Sequence, residues 1–194
     1  MRHALLLLAA LPLSACISFG AEPPPSLLSL EAQAEVPVGE VRRADGAGAV
    51  TILGLQVPQK LATQRVPVQA TPTTIAYVED AQWTEPPARL FARLVGDTIT
   101  ARTGRVVLST AQSIADPGAR LGGELRDFGL NAVTREAVVT FDAQLFRSDS
   151  TAVEKRRFQA RVPITGEIDA QTAGVTLNQA ANQVAAEVAE WIGR

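Results

Sequence analysis

The side chains that most often carry covalent or acid–base chemistry are almost absent from this sequence. The 194 residues include one histidine and one cysteine, and both of them, His3 and Cys16, lie within the first sixteen positions. Imidazole catalysis, Ser-His-Asp triads, cysteine nucleophiles and His/Cys zinc sites therefore lack the necessary residues in the rest of the chain. Because the sequence also contains neither a P-loop nor a G-x-G-x-x-G element, it predicts no cofactor.

Paired carboxylates are the remaining route to catalysis. Glu79, Asp80 and Glu85 cluster before a predicted helix, and a glycosidase needs only two such groups. A solvated acidic loop next to a favourable helix N-terminus explains the same residues more simply. We therefore expect that the protein is not an enzyme, and a carboxylate-dependent hydrolase of periplasmic glycans is the least favoured alternative.

Cys16 follows a short leader. A positively charged start is followed by an apolar run at residues 4–11, by Pro12 and by Leu-Ser-Ala-Cys. The run is too short to span a bilayer, which takes about 20 residues, and the order of features is that of a secretory signal peptide. It also resembles the bacterial lipobox, in which the cysteine is acylated and becomes the first residue of the mature protein. This resemblance predicts a lipoprotein signal peptide at residues 1–15 and lipidation at Cys16.

The predicted anchor determines localisation and domain organisation. Several acyl chains, each contributing about 0.8 kcal/mol per buried CH₂, hold a protein durably on a membrane. Ile17 follows the cysteine where an aspartate typically retains such proteins in the inner membrane, so we expect the outer membrane, with the protein facing the periplasm. Residues 16–26 are rich in proline and predict a tether, and residues 27–194 predict one domain. The net charge of −2 makes nucleic acid a poor partner.

Two aromatic residues are candidate partner contacts. Tyr77 and Trp83 lie six positions apart just before the predicted helix, and tyrosine and tryptophan are enriched in interaction hot spots. The simpler interpretation of Trp83 is a core side chain that joins the helix to the sheet. Lys155, Arg156 and Arg157 could face anionic lipid or a partner, although charges that guard an edge strand are the simpler interpretation.

Strand-like patterns dominate the chain. Runs of β-forming residues predict strands at residues 27–31, 50–57, 64–69, 73–78, 105–109, 121–130, 137–146 and 153–164. We expect the segment at 64–69 to be an edge strand because Pro67 has no N–H for a ladder. The pair Gly122-Gly123 inside a strand predicts a bulge or a close approach of two backbones.

Two helical patterns complete the elements. An apolar stripe at residues 87–103 predicts an amphipathic helix, with prolines in its first turn and Gly104 after its end. A second stripe runs from Leu177 to Ile192, and Thr176 with Gln179 predicts a capping box at its start. Because runs of adjacent strands favour antiparallel pairing, the predicted fold is α+β, an antiparallel sheet with two principal helices on one face.

Several short segments together resemble one known family. In chain order they are Leu28-Ser29-Leu30, Gln56 to Leu61, Gln64-Arg65-Val66-Pro67, Tyr77, Trp83-Thr84-Glu85-Pro86, Arg105-Val106-Val107 and Gly122 to Phe128. Together with the lipobox and the C-terminal helix, they resemble the ABC-type transport auxiliary lipoproteins, the PqiC-like family associated with MCE lipid transport. The resemblance covers nearly the whole predicted mature chain.

The resemblance implies a function without catalysis. Members of the family are similar in being periplasm-facing lipoproteins that work with an MCE-domain protein, an ABC permease and an ATPase. It therefore implies a part in moving phospholipids between membranes, and it leaves open a homo-oligomer, since some members form rings. An accessory of outer-membrane assembly, acting on lipopolysaccharide or barrel proteins, is the alternative that shares the same anchor.

Overall fold

The computed structural model describes residues 24–44, 48–112, 118–148 and 150–193. Seven strands and two α-helices follow the order β1 (Ala49–Ile52), β2 (Arg65–Thr71), β3 (Thr74–Gln82), α1 (Pro87–Thr103), β4 (Val106–Ser109), β5 (Ala119–Asn131), β6 (Glu136–Phe146), β7 (Val153–Pro163) and α2 (Ala170–Ile192). The predicted bounds of α1 are confirmed. Gly104 ends this helix with a left-handed φ of 72° and donates its N–H to the carbonyl of Thr100, as a glycine after a helix commonly does.

The strands form a single mixed sheet organised around β5. On one side β5 pairs with β6, which pairs with β7, and both pairings are antiparallel. On the other side β5 is long enough for two parallel partners, β1 beside its first residues and β2 beside its last. β4 pairs parallel to β1, and β3 pairs antiparallel to β2. The α+β class is confirmed, but the sheet is not purely antiparallel as expected.

Four predicted elements differ from the structure. The strand predicted at residues 50–57 ends at Ile52. Residues 27–31 form no strand, since only Leu28 makes a bridge, to Trp83. β2 is an interior strand between β3 and β5. It tolerates Pro67 because pairing with β5 begins only at Val68 and the pairing with β3 shifts register beside the proline. Finally, α2 begins at Ala170, where Asp169 rather than Thr176 caps the helix.

The core lies between the sheet and the two helices, which also pack on each other. A chain of edge-to-face aromatic contacts joins Trp83 to Phe128, Phe128 to Phe91 and Phe91 to Phe141, with ring centroids 5.4, 6.3 and 5.4 Å apart. Such contacts add about 0.5–1.5 kcal/mol each to the burial of the rings. This chain of rings holds α1 against β5 and β6, and so sets the position from which the other side chains of α1 extend.

The opposite face of the sheet is covered by cross-strand polar pairs. Arg157 binds both carboxylate oxygens of Asp142 at 2.5 and 2.7 Å, and Gln159 donates to the hydroxyl of Thr140 at 2.8 Å. Gly123, one of the two predicted strand glycines, approaches the neighbouring strand closely: a Cβ placed on it would lie 2.1 Å from the carbonyl oxygen of Asp142. The predicted close approach of two backbones is confirmed at this glycine.

Candidate functional site

The three residues of the acidic cluster lie in different environments. Glu79 and Asp80 lie exposed on β3, in a stretch where the pairing with β2 is irregular. Glu85 instead forms ion pairs with Arg89 and Arg93 of α1. The hydrogen bond from Arg93, followed by the nearby positive charges, lowers the pKa of Glu85, so this carboxylate stays ionised and is not suited to donate a proton. The three residues match the simpler interpretation of an acidic surface next to a helix.

The two predicted aromatic contacts lie in different environments. Trp83 has 0% of its surface exposed, so from this position it cannot touch a partner, and the core interpretation is the correct one. Tyr77 is half-buried on β3, where the guanidinium of Arg65 lies 4.0 Å from the centre of its ring. Tyr77 therefore remains a candidate for partner contact. Cys16, the predicted lipidation site, lies outside the described residues.

Three of the segments that suggested the family meet around Trp83. Its backbone N–H donates to the carbonyl of Gln64 at 2.7 Å, and Leu28 pairs with the residues on either side of it. Its ring packs on Phe128. The segments containing Gln56 and Gly123 also pair with each other through backbone hydrogen bonds of 2.9 Å. These residues of the family pattern therefore have structural roles, since they form backbone hydrogen bonds between distant segments or pack in the core.

One ion pair connects two of these segments through side chains. Lys60 donates to Asp127 at 2.7 Å on the exposed face of the sheet, and both side chains keep some contact with solvent. They line a small cavity of about 140 Å³ together with Pro67, Ile75 and Arg161. Because Arg161 is paired with Glu136 and Lys60 with Asp127, each cation of the cavity already has an acidic partner, which leaves little net charge for a ligand.

A segment that sequence reasoning missed connects the N-terminal region to α2. Residues 28–33, which we call the strap, lie along this helix. The N–H of Glu31 donates to Asn178 at 2.9 Å, the N–H of Gln33 donates to Asn182 at 2.8 Å, and Asn182 donates to the carbonyl of Glu31 at 2.9 Å. Asn182 is only 6% exposed. An asparagine pair four positions apart next to an apolar stripe was the available signal.

The strap also depends on a small residue of α2. Leu28 packs over Gly174, where a Cβ would lie 3.0 Å from its side chain. The apolar members of the strap, Leu28, Leu30 and Ala32, pack against the core, while the residues between them are exposed. This alternation is that of a strand, although the segment pairs with a strand only at Leu28. The strap thus fixes the direction in which the N-terminal chain leaves the domain.

The basic cluster lies on an edge strand, as the simpler interpretation expected. Lys155, Arg156 and Arg157 are exposed on β7, which pairs only with β6. Arg156 lies over the ring of Phe158 at 4.8 Å, and Arg157 is held by Asp142. Within the four described ranges, no group of three or more acidic, histidine or cysteine side chains could hold a metal ion. Neither described helix has the length and apolar character needed to cross a membrane.

Two solved structures share the fold of this chain. Protein XCC0632 from Xanthomonas campestris, of the family DUF330, matches with a TM-score of 0.64 at 20% identity, over 74% of this chain and 83% of its own. A crystal structure of an uncharacterized protein matches with a TM-score of 0.64 at 14% identity, over 86% of this chain and 99% of its own. At these identities the two structures show the fold alone.

Among curated proteins, none matches this chain. The model of one family, described as the ABC-type transport auxiliary lipoprotein component, matches residues 28–189. This range begins at the strap and ends three residues before the last residue of α2, so the match covers all seven strands, α1 and most of α2. The chain therefore belongs to the ABC-type transport auxiliary lipoprotein family.

Proposed function

We propose that this protein is a lipid-anchored, non-catalytic auxiliary component of an MCE-type ABC system that moves phospholipid between the inner and outer membranes. It is held on the periplasmic face of the outer membrane by acyl chains on Cys16, and it acts with an MCE-domain protein, a permease and an ATPase. Membership of a transport auxiliary lipoprotein family supports the general role. The MCE partner and the outer membrane follow from the sequence resemblance and the residue after Cys16.

The observation that carries the anchored role is the place where the N-terminal chain leaves the domain. Leu27 is 53% exposed, and the strap holds the chain in place from Leu28 onward. Leu27 lies eleven positions after Cys16, a length of chain that reaches at most about 40 Å. An anchor at Cys16 would therefore hold one fixed side of the domain near the membrane, which raises the effective concentration at which it meets a membrane-bound partner.

The distribution of polar side chains supports a role without catalysis. Histidine and cysteine do not occur after Cys16, and Glu85, the acidic residue at the start of α1, is engaged by two arginines. The carboxylates with lowered pKa values are held by ion pairs or by a helix cap, which are structural uses of charge. Glu124 and Asp142 line one shared pocket, but both form ion pairs with Arg126, and Asp142 also pairs with Arg157.

The test is crosslinking in the intact cell envelope, followed by mass spectrometry. Cells that express the full chain are treated with a short amine-reactive crosslinker, and peptides linked to this protein are identified. We expect crosslinks to an MCE-domain protein or to the permease, and we expect them to be depleted when Cys16→Ala frees the protein. Crosslinks that reach only lipopolysaccharide-transport or barrel-assembly proteins would overturn the proposal in favour of the assembly alternative.

A further inference from the structure

An apolar groove runs between α1 and the strands at the β4 edge of the sheet. Its volume is about 540 Å³, within the usual range for sites that bind small molecules. The floor is aliphatic and is formed by Ile52, Leu53, Val107 and Leu108, with Ala92 and Gly96 on the α1 side. Gly96 packs closely on the floor, because a Cβ there would lie 3.3 Å from the side chain of Ile52 and 3.4 Å from that of Val107. The groove is therefore lined by small or aliphatic groups where α1 crosses the sheet.

The wall that α1 contributes carries both signs of charge. Arg89, Arg93 and Asp97 line the groove, and Arg93 and Asp97 lie one helical turn apart. Glu85 pairs with both arginines from outside the groove. Asp97 has neither an ion pair nor a hydrogen bond within the described ranges, and burial raises its pKa even though Arg93 opposes the shift. Asp97 itself is exposed, so the wall presents a solvent-accessible carboxylate with no cation in contact, beside two arginines that share one acidic partner.

We propose that this groove binds a phospholipid with a phosphoethanolamine headgroup. One acyl chain lies on the aliphatic floor, the primary ammonium donates to Asp97, and the phosphate faces Arg93 and Arg89. A zwitterionic headgroup complements a wall that carries a carboxylate and guanidinium groups side by side. An anionic headgroup without an amine leaves Asp97 without a donor, and a choline headgroup has no N–H to donate, so both should bind less well.

The neighbouring strand edge favours a lipid over a peptide in this groove. A protein segment that extended the sheet would need the outward backbone groups of β4. At Ser109 the backbone N–H already donates to the side-chain carbonyl of Gln112 at 3.0 Å, and the Ser109 hydroxyl donates to the same oxygen at 3.1 Å. The chain therefore closes part of this edge itself, while the aliphatic floor beside it stays accessible.

This inference deepens the proposed function and in part rests on it, since an auxiliary component of a lipid transporter is expected to meet phospholipid. Its test needs no transporter. The full-length protein is placed in phosphatidylcholine nanodiscs that contain a small fraction of a photoactivatable phospholipid with an ethanolamine, choline or glycerol headgroup. Crosslinked peptides are then mapped by mass spectrometry.

We expect the ethanolamine probe to label α1 residues 89–100 and residues 107–112 more strongly than the other two probes. Asp97→Asn should lower this labelling by about tenfold, the loss expected for one hydrogen bond to a charged group. The matched control is Glu187→Gln, which removes an exposed carboxylate of α2 that does not line the groove and should leave labelling unchanged. Ala92→Phe should block labelling by all three probes.

Labelling spread over the surface, or equal for all headgroups, would overturn the proposal, as would equal labelling of the wild type and Asp97→Asn. If Ala92→Phe fails to fold, the comparison of Asp97→Asn with Glu187→Gln still decides, because both changes lie at exposed helix positions. A negative result here leaves the envelope crosslinks to the transporter intact. If instead the groove is labelled but no envelope crosslinks to the transporter are found, the lipid site stands and the proposed partner is wrong.

Discussion

Asn182 of α2 and Glu31 of the strap are joined side chain to backbone: the amide nitrogen of Asn182 donates to the carbonyl of Glu31 at 2.9 Å. The other end of the same amide accepts the N–H of Gln33 at 2.8 Å. An asparagine amide offers a donor and an acceptor in the arrangement of a peptide group, so it takes the place of a neighbouring strand for this segment. A buried polar side chain thereby fixes the N-terminal chain on a helix.

Replacement of Asn182 by alanine should release the strap while the rest of the fold remains. Two backbone groups of the strap lose their partners, which is expected to lower the free energy of unfolding by about 1–3 kcal/mol. Denaturant unfolding measures this loss, and hydrogen exchange at Glu31 and Gln33 should accelerate. Gln179→Ala, on the exposed side of the same helix, serves as the control. Unchanged exchange at both amides would show that other contacts hold the strap.

Gly123→Ala should be among the most damaging single substitutions in the sheet. Gly123 has a φ of 138°, and an added Cβ would lie 2.1 Å from the carbonyl oxygen of Asp142, so both backbone strain and overlap oppose alanine. We expect a loss of about 3 kcal/mol or more in the free energy of unfolding. The control is Gly54→Ala, where no atom lies within 4 Å of the added carbon. Similar stabilities for the two variants would contradict the close approach of β5 and β6.

Acid should weaken the fold partly through Asp142. The hydrogen bond from Arg157, followed by the charges of Arg157 and Arg126, holds the pKa of Asp142 below its usual range. Because the folded-state pKa is the lower one, the ion pair stabilises the fold above the unfolded pKa, and this stabilisation is lost as the pH falls through the folded value. Asp142→Asn should remove up to about 1 kcal/mol at neutral pH and flatten the acid dependence of the midpoint of denaturation. Glu79→Gln should leave that dependence as it is in the wild type.

Substitution of Trp83 should lower the stability of the fold, whereas substitution of Tyr77 should test a contact with a partner. Trp83→Ala removes a fully buried ring, at a cost of about 3–5 kcal/mol in the free energy of unfolding. Tyr77→Ala removes a half-buried ring that stacks with Arg65, at a cost of about 1 kcal/mol or less. If Tyr77 contacts a partner, its variant keeps the circular dichroism spectrum of the wild type and loses envelope crosslinks. Full retention of those crosslinks would remove Tyr77 as a contact residue.

Cys16→Ala should detach a folded protein from the membrane. Cys16 precedes the strap by twelve positions, outside the range matched by the family model, so the domain should fold without it. Acylation is lost, and with it the chains that hold the protein on the bilayer. Metabolic labelling with palmitate and membrane fractionation measure both effects. A variant that stays in the membrane fraction without label would contradict the proposed anchor.

Local sequence patterns predicted α1 well because its signals are local. A continuous apolar stripe, prolines in the first turn and Gly104 after the last turn all act within one helix. The start of α2 was predicted seven positions too late, since the apolar stripe becomes regular only near Leu177 while Asp169 caps the helix earlier. The cap bond from the N–H of Thr172 to Asp169 is 2.7 Å long, and an aspartate before Ala-Gln-Thr was a signal that the stripe concealed.

The sheet order was less predictable because it depends on contacts between distant parts of the chain. β5 reads as one strand in sequence, yet its first residues pair with Val50 and its last with Val68, and no local pattern encodes two parallel partners on one edge. The groove beside α1 was missed for the same reason. Asp97 reads as an ordinary polar position of an amphipathic helix, and only the packing of α1 over β1 and β4 brings aliphatic residues beside it.

The strap makes the two ends of the chain interdependent during folding. Glu31 and Asn182 are 151 positions apart, and α2 is the last element of the domain to be synthesised. Leu28 can pair with Gln82 and Thr84 earlier, but the bonds of the strap to α2 form only after this final helix, and closing so long a loop carries an entropic cost. Complete docking of the strap therefore requires α2, and a chain truncated before α2 would leave Glu31 and Gln33 without their hydrogen-bond partners on this helix.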